Sequence, residues 1–253
     1  MRKIRIAQIG INRYSHAPEI IHTLGLLSDT FELVGYAIVE DERETCAAKI
    51  EKYYAGYREL TLEQILCDPT IEAVTVETDE IHLLKYAQMA ADAGKHIHME
   101  KPGSQDLAAF ERLIETVKQN GKVFHIGYMY RYNPMISEVI RRAKAGEFGH
   151  IYSVEAHMSR LDDRAAREWF GSFQGGMMFY LGCHLIDLVL QIQGVPSNVF
   201  SFNTRTGIDD VNTEDLGLAV LQYPNATSIV RMGARKSVAP RADSLLFAER
   251  GER

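Results

Sequence analysis

Positive charge is in short supply in this chain: 28 Lys and Arg stand against 34 Asp and Glu, giving a formal net charge of -6 and a pI near 5.9. That balance argues against a dedicated nucleic-acid or anionic-membrane partner, which would favour basic patches, and points to a small molecule or another protein. Cysteine is scarce as well. Cys46, Cys67 and Cys183 are odd in number and widely spaced, which suggests neither a disulfide framework nor a zinc site and fits a reducing cytoplasm. No run is long and apolar enough to span a bilayer, and Met1 leads directly into a strand without an apolar signal region. The protein is therefore expected to stay in the cytoplasm. Repeats and low-complexity tracts are also lacking. What remains, 253 residues with 46% hydrophobic and 25% charged, is an ordinary globular composition with room for two modest domains.

Strand and helix patterns alternate through the first half. Strands are expected at 3–9, 32–39, 73–77, 96–100 and 123–128, with helices at 18–27, 42–54, 82–93 and 107–120 and a helical turn at 62–67. Such alternation implies right-handed crossovers and a doubly wound parallel sheet. The texture changes near Met129. A helix at 135–145, a strand at 151–158, an Arg/Asp-rich loop, a helix at 178–193 and strands at 198–202, 216–223 and 227–232 predict an α+β domain with a mostly antiparallel sheet. The domains are expected at 1–128 and 129–253, and no closing element is expected over 237–253.

Three stretches carry chemistry. The first is Gly94-Lys95-His96-Ile97-His98-Met99-Glu100-Lys101-Pro102, a short strand that ends in an acid, an amine and a proline where a parallel strand meets its loop. Ligands of open α/β sheets bind at such ends. An X-Pro bond can be cis and turn the lysine out of the strand. A bare Glu-Lys-Pro is ordinarily a solvated ion pair, so the assignment needs the rest of the chain.

The second is Gly10-Ile11-Asn12-Arg13-Tyr14-Ser15, placed where a dinucleotide fold has its glycine fingerprint, but with Asn12 and Ser15 at the later glycine positions. A nucleotide loop and an ordinary strand-to-helix turn both fit, and the Asn12 side chain is expected where a phosphate would come closest. Glu40 is the chosen acid for the ribose hydroxyls at the end of the second strand, although Asp41 and Glu42 beside it also suit a helix start. The third runs from Gly175-Gly176 to Asp187. On a continuous helix Tyr180, His184 and Asp187 share one face, a spacing open equally to a satisfied core histidine.

The order of these pieces resembles the Gfo/Idh/MocA family of NAD(P)-dependent oxidoreductases. Its most specific signature, Gly-Lys-His-x-x-x-Glu-Lys-Pro, lies at 94–102, the Gly-Gly to His-x-x-Asp segment at 175–187, and an Arg-x-Asn-Pro entry to the substrate domain within Tyr130-Arg131-Tyr132-Asn133-Pro134. The resemblance implies a Rossmann domain binding NAD, or NADP, through Gly10, Ile11, Asn12, Arg13, Glu40, Glu77, His82, Glu100 and Lys101. It also implies a second domain whose open sheet forms homo-oligomers, and oxidation of a sugar, polyol or related hydroxyl compound. Lys101 matches the family lysine and His184 its acid/base position, with Tyr180 where the family has aspartate and Glu77-Thr78 where it has Thr-Pro. Lys101, Arg131, Tyr180 and His184 are the expected substrate contacts. Family members run well past the point where this chain stops, so its second sheet is expected to be cut short.

The expected reaction has His184 as general base, since its ordinary pKa lies near working pH, and Lys101 stabilising the developing alkoxide. Tyr180 donates a hydrogen bond, Glu100 orients Lys101 or the nicotinamide ribose, and Asp187 supports from behind. The rival is a non-catalytic descendant that senses a nucleotide or sugar or serves only in assembly. Asn12, Glu77 and Tyr180 favour it.

Overall fold

The computed structural model describes residues 2–234 and 244–247. The chain divides into two units, Met1–Gly127 and Tyr128–Arg253. In the first, five parallel strands, β1 (Ile4–Ile9), β2 (Phe31–Ala37), β3 (Ala73–Val76), β4 (His96–Met99) and β5 (Phe124–Ile126), lie in the order β2-β1-β3-β4-β5. Beyond β2 the backbone at Glu59 makes one parallel bridge to Tyr36. There Tyr36 N donates to Arg58 O at 3.0 Å and Leu60 N donates to Tyr36 O at 2.8 Å. With that bridge as a one-residue strand, the order becomes that of a doubly wound dinucleotide fold. The order reverses between β1 and β3, which puts the loops after these strands at the switch point.

The connections are α1 (Ala17–Leu26), α2 (Glu42–Thr45), α3 (Ala47–Lys49), α4 (Leu62–Cys67), α5 (Leu83–Asp92) and α6 (Leu107–Gln119). Polar side chains set their starts. Thr61 accepts from Gln64 N at 3.1 Å while Gln64 reaches back to Thr61 N at 2.9 Å, and Asp106 accepts from Ala109 N at 2.9 Å, satisfying amides that a first turn leaves open. Apolar β-branched residues of the strands, among them Ile9, Val74, Val76 and Ile97, pack with Leu83, Ala87, Ala90 and Leu113 as one buried cluster.

The expected helix over 42–54 is broken into α2, α3 and a π-turn at Ile50–Tyr54. The wide turn brings Tyr54, fully buried, against the Tyr36 ring at 4.7 Å, where its hydroxyl accepts from Gln8 Nε2 at 2.7 Å. Satisfying that buried amide outweighs continuing the helix.

Gln8 begins a polar row. Gln8, Thr75, His98 and His125 stand opposite one another in register across β1, β3, β4 and β5, in a class of sheet that is normally apolar on both faces.

In the second unit, α7 (Pro134–Lys144), α8 (Arg164–Trp169) and α9 (Cys183–Gln193) accompany β6 (Val154–Ser159), β7 (Asn198–Thr204), β8 (Leu216–Tyr223), β9 (Ala226–Gly233) and β10 (Ser244–Phe247), ordered β10-β6-β9-β8-β7. Every neighbouring pair is antiparallel except β6 with β9. Val154, Ala219, Leu221 and Val230 from the sheet and Leu185 and Val189 from α9 form its core.

The structure departs from expectation here in three places. The Arg/Asp-rich stretch holds α8, capped by Asp163 accepting from Ala166 N at 2.8 Å, with Arg167 turned fully inward. The helix expected from 178 begins as a π-turn, Met178–Gly182. A Cβ on Gly182 would lie 2.2 Å from Met178 Sδ, so the Met178 side chain fills the space beside Gly182. Finally, β10 pairs antiparallel with β6 where no closing element was expected. The rest of that stretch, 237–243 and 248–253, lies outside the described residues.

Candidate functional site

Gly10 ends β1 with φ +86°, and a Cβ there would meet Thr78 backbone atoms at 2.7 Å. Only glycine lets the loops after β1 and β3 approach so closely. Asn12 is turned inward, contrary to expectation. Its Nδ2 donates to Thr78 O at 3.2 Å and Glu80 Oε2 at 2.9 Å, while its Oδ1 accepts from Tyr14 N at 2.9 Å. The amide side chain thus ties the loop down and leaves the outer surface clear. Lys49 Nζ binds Asn12 O at 2.8 Å and Ser15 O at 3.2 Å, and the buried Glu42 carboxylate accepts from Asn12 N at 3.3 Å and Val39 N at 3.1 Å. Ile11 is buried beneath, and Arg13 is exposed above, 5.9 Å from the Tyr14 ring.

Glu40, at φ +50°, follows β2. Its Oε1 accepts from Lys85 Nζ at 2.6 Å and Tyr86 OH at 2.7 Å, with His82 Nδ1 at 3.8 Å. These bonds hold Glu40 below the usual carboxylate range. An acid at the end of β2, a loop that admits only glycine at position 10 and the start of α1 beyond it make a donor and acceptor set that fits a dinucleotide.

The third part is an acid cluster around Lys101. The Lys101-Pro102 bond is cis, and Lys101, 3% exposed, has its Nζ 4.0 Å from Glu100 Oε1. Burial pushes Glu100 up, but His16, whose Nδ1 is 3.7 Å away, the charge of Lys101 and the Lys101 amide outweigh it and hold this acid low. Glu77 is fully buried, and neither of its carboxylate oxygens has a hydrogen-bond partner among the described residues. Burial, then the charge of Glu100, push it well above the ordinary range. Burial likewise pushes Glu80 up to about 8 against the pull of Lys101.

These acids give stability a sign. A carboxyl whose folded pKa is raised contributes stability that is complete below its unfolded pKa and is lost as pH rises through the folded value. His98, lowered by burial to about 4 from 6.5, works in the opposite direction only below pH 6.5. Between pH 6.5 and 8, therefore, the unfolding free energy should fall by about 1.4 kcal/mol per pH unit for the proton Glu80 retains. Urea unfolding across that window should show Glu80→Gln with a shallower slope. An unchanged slope would show that Glu80 is ionised in the folded protein.

The second unit carries the other predicted residues. His184 lies in the first turn of α9, 4% exposed, with its ring edge-on to Tyr128 at 5.9 Å and Tyr130 at 5.1 Å. Asp187, one turn on, accepts from Arg131 Nε at 2.7 Å and pairs also with Arg131 Nη2. Arg131 is thus engaged by α9 and lies over the Tyr128 ring at 5.5 Å. Tyr180 is in a different environment, packed on Trp169 at 5.0 Å and Phe170 at 5.5 Å, with the Arg160 guanidinium 5.4 Å from its ring. The spacing argument assumed α-helical turns throughout, and the π-turn carrying Tyr180 changes the angle. Among the described residues no group of three His, Cys, Asp or Glu is placed to hold a metal ion.

Sequence reasoning passed over His16, Glu80, His98 and His125, and set Glu42 aside in favour of Glu40. The one available signal was period two: His98 and Glu100 project from the same face of β4.

Residues 4–128 match the family model described as an oxidoreductase family with an NAD-binding Rossmann fold, and residues 136–245 match the GFO/IDH/MocA C-terminal domain. An uncharacterized oxidoreductase of Escherichia coli (strain K12), YhhX, is 28% identical over 170 residues, which cover 67% of this chain and 49% of YhhX. The scyllo-inositol 2-dehydrogenase (NADP(+)) IolW of Bacillus subtilis is 23% identical over 237 residues, 92% of this chain and 64% of IolW. The chain spans about half to two thirds of the length of these two relatives. In fold it is similar to the WlbA dehydrogenase of Chromobacterium violaceum, solved in complex with NADH and UDP-GlcNAcA, with a TM-score of 0.77 at 18% identity, covering 95% of this chain and 69% of that one. With both domains matched in tandem, in the order the fold presents them, the chain belongs to the Gfo/Idh/MocA family.

Proposed function

We propose that the chain is an NAD(P)-dependent dehydrogenase that oxidises a secondary alcohol of a sugar or polyol. The observation that carries this reading is Lys101, a lysine 3% exposed at the end of β4, next to Glu100 and electrostatically coupled to the buried acids Glu77 and Glu80. A buried ammonium among acids is costly as a purely structural device, whereas it suits a site where an alkoxide must form. NAD(P), when bound, accepts the hydride. Lys101 stabilises the oxygen as the hydroxyl proton leaves, Glu100 positions Lys101, and His184 takes the proton, its ring held between Tyr128 and Tyr130. Arg131 acts through Asp187, fixing α9 and with it His184.

Substrate class rests on relatives named as inositol and xylose dehydrogenases. Glu40 favours NAD, since a carboxylate accepts the ribose hydroxyls and repels a 2′-phosphate, and Arg43 is paired with Glu59. Self-association through the second sheet is part of the proposal. The edge strand β7 exposes Val199, Phe200 and Phe202, which an unpaired edge would leave in water. Three free thiols agree with work in a reducing cytoplasm.

The test is a titration of folded protein with NADH and NADPH by nicotinamide fluorescence, followed by a polyol screen. Saturable binding, tighter for NADH, and reduction of NAD by a polyol are expected. Failure to bind either cofactor overturns the dehydrogenase. Binding without turnover on any polyol would favour a sensor, the reading that the Tyr180 ring, enclosed by Trp169 and Phe170, supports.

A further inference from the structure

We propose that Glu77, His98 and His125 form a proton relay that exchanges the proton of the buried Glu77 carboxyl with solvent along one face of the sheet. This rests on the dehydrogenase reading for its purpose, but not for its geometry. β3, β4 and β5 are parallel and in register, with Thr75 opposite His98 and His98 opposite His125. Since side chains alternate along a strand, Glu77 follows Thr75 on the same face, and Glu100 follows His98. The fold thus gathers acids and imidazoles from three strands on one side of the sheet.

The contacts form a chain. His98 Nε2 lies 3.6 Å from Glu77 Oε1, a gap that a sub-ångström side-chain shift closes to hydrogen-bond distance. On its other edge, His98 Nδ1 is 2.7 Å from His125 Nδ1, with the rings stacked at 4.9 Å. Two Nδ1 atoms that close must share one proton, so one ring donates and the other accepts. Each arrangement fixes the tautomer of His98 and therefore what its Nε2 offers to Glu77. His98 and His125 are both half-buried, whereas Glu77 is fully enclosed.

Proton transfer along this chain balances. At the start Glu77 bears a carboxyl proton directed at His98 Nε2, and His98 Nδ1–H donates to His125 Nδ1. The Glu77 O–H bond breaks as the His98 Nε2–H bond forms, and the His98 Nδ1–H bond breaks as the His125 Nδ1–H bond forms. His125 then releases its Nε2 proton to water. Glu77 is left as a carboxylate, His98 as the Nε2–H tautomer and His125 as the Nδ1–H tautomer, and the reverse transfers, begun by a proton from water at His125 Nε2, restore the starting state. The charged and titratable groups facing Glu77 are Glu19 of α1, Tyr54, Glu80, Glu100, Lys101 and His98. Those facing His98 are Glu77, His125 and Glu100. Burial keeps His98 neutral at physiological pH, which is what a ring that both donates and accepts requires.

The decisive measurement is deuterium exchange at the Glu77 carboxyl, followed by infrared spectroscopy after mixing into D2O, with the carbonyl band assigned by its loss in Glu77→Gln. It needs no substrate. Exchange should slow on the order of a hundredfold in both His98→Leu and His125→Leu. Each variant is first shown to be folded by circular dichroism, and either alone carries the test. In addition, for whichever polyol is oxidised, His125→Ala should lower kcat without raising KM, and added imidazole should restore it, an outcome no purely structural role of His125 produces. Unchanged exchange in the leucine variants, or no protonated Glu77 band at neutral pH, overturns the relay. Slowed exchange with no polyol oxidised would leave the relay standing and remove only the dehydrogenase.

Discussion

Lys101→Met should bind NADH nearly as tightly as the parent protein and yet lose turnover by a factor on the order of 10²–10³, the cost of removing one pre-placed charge from a forming oxyanion. The separation of the two effects is the point. Of the expected cofactor contacts, Gly10, Ile11, Arg13 and Glu40 come from the loops after β1 and β2 and are untouched in the variant, whereas Lys101 follows β4. Methionine fills nearly the same volume without the ammonium, so the buried space is kept. The neighbouring acids will respond, because Lys101 pulls down both Glu77 and Glu80. Without it both carboxyls hold their protons to higher pH and become neutral, while Glu100 keeps His16 and the residue-101 amide as partners, so no charge is stranded and the variant remains foldable. NADH titration and steady-state kinetics on the same sample decide it. A variant that kept full kcat would remove Lys101 from the chemistry.

Arg167→Met should cost about 3–5 kcal/mol of stability, the range for stranding one member of a buried ion pair. Arg167 is fully buried, and its Nη1 donates to Asp215 Oδ2 at 3.3 Å and Ile208 O at 3.1 Å while Nη2 pairs with Asp209. Asp209 is partly exposed and can turn to water; Asp215 is not exposed at all. Thr206 donates twice to Asp215, from N at 2.9 Å and Oγ1 at 2.7 Å, but two neutral donors do not replace a guanidinium. Adding Asp215→Asn to Arg167→Met should therefore recover much of the loss, as measured by urea unfolding. If the double variant is as unstable as the single one, lost packing rather than stranded charge is the cause.

Sequence periodicity carried most of the first unit. Strands that run apolar and helices that begin at Thr61 or Asp106 announce themselves, because burial and capping are local demands written in adjacent residues. What periodicity missed depends on residues far apart in the chain. Arg167 looks like any solvated arginine until β8 brings Asp215 to it, and the helix over 42–54 looks continuous until Gln8 demands the Tyr54 hydroxyl. In sequence Asn12 looks like an obstacle to a phosphate because its partners, Thr78 and Glu80, are nearly seventy positions away. Lys101 and Glu100 were legible because their motif is contiguous. His98 and His125 were not, since nothing local relates one histidine to another across a strand pairing.

The polar row also bears on how the first sheet finds its pairing. Parallel strands built only of valine, isoleucine and alanine present similar faces at every offset, and a slip costs little contact. With Gln8, Thr75, His98 and His125 opposite one another, sliding β4 by a single residue would set His98 against apolar Val74 or Val76 and strip His125 of its partner. Such misaligned sheets would bury unsatisfied imidazole nitrogens, at a cost of the order of 1–3 kcal/mol each. The row thus acts as a key that only one alignment of the strands accepts, and polar positions within the sheet help to make its fold unique.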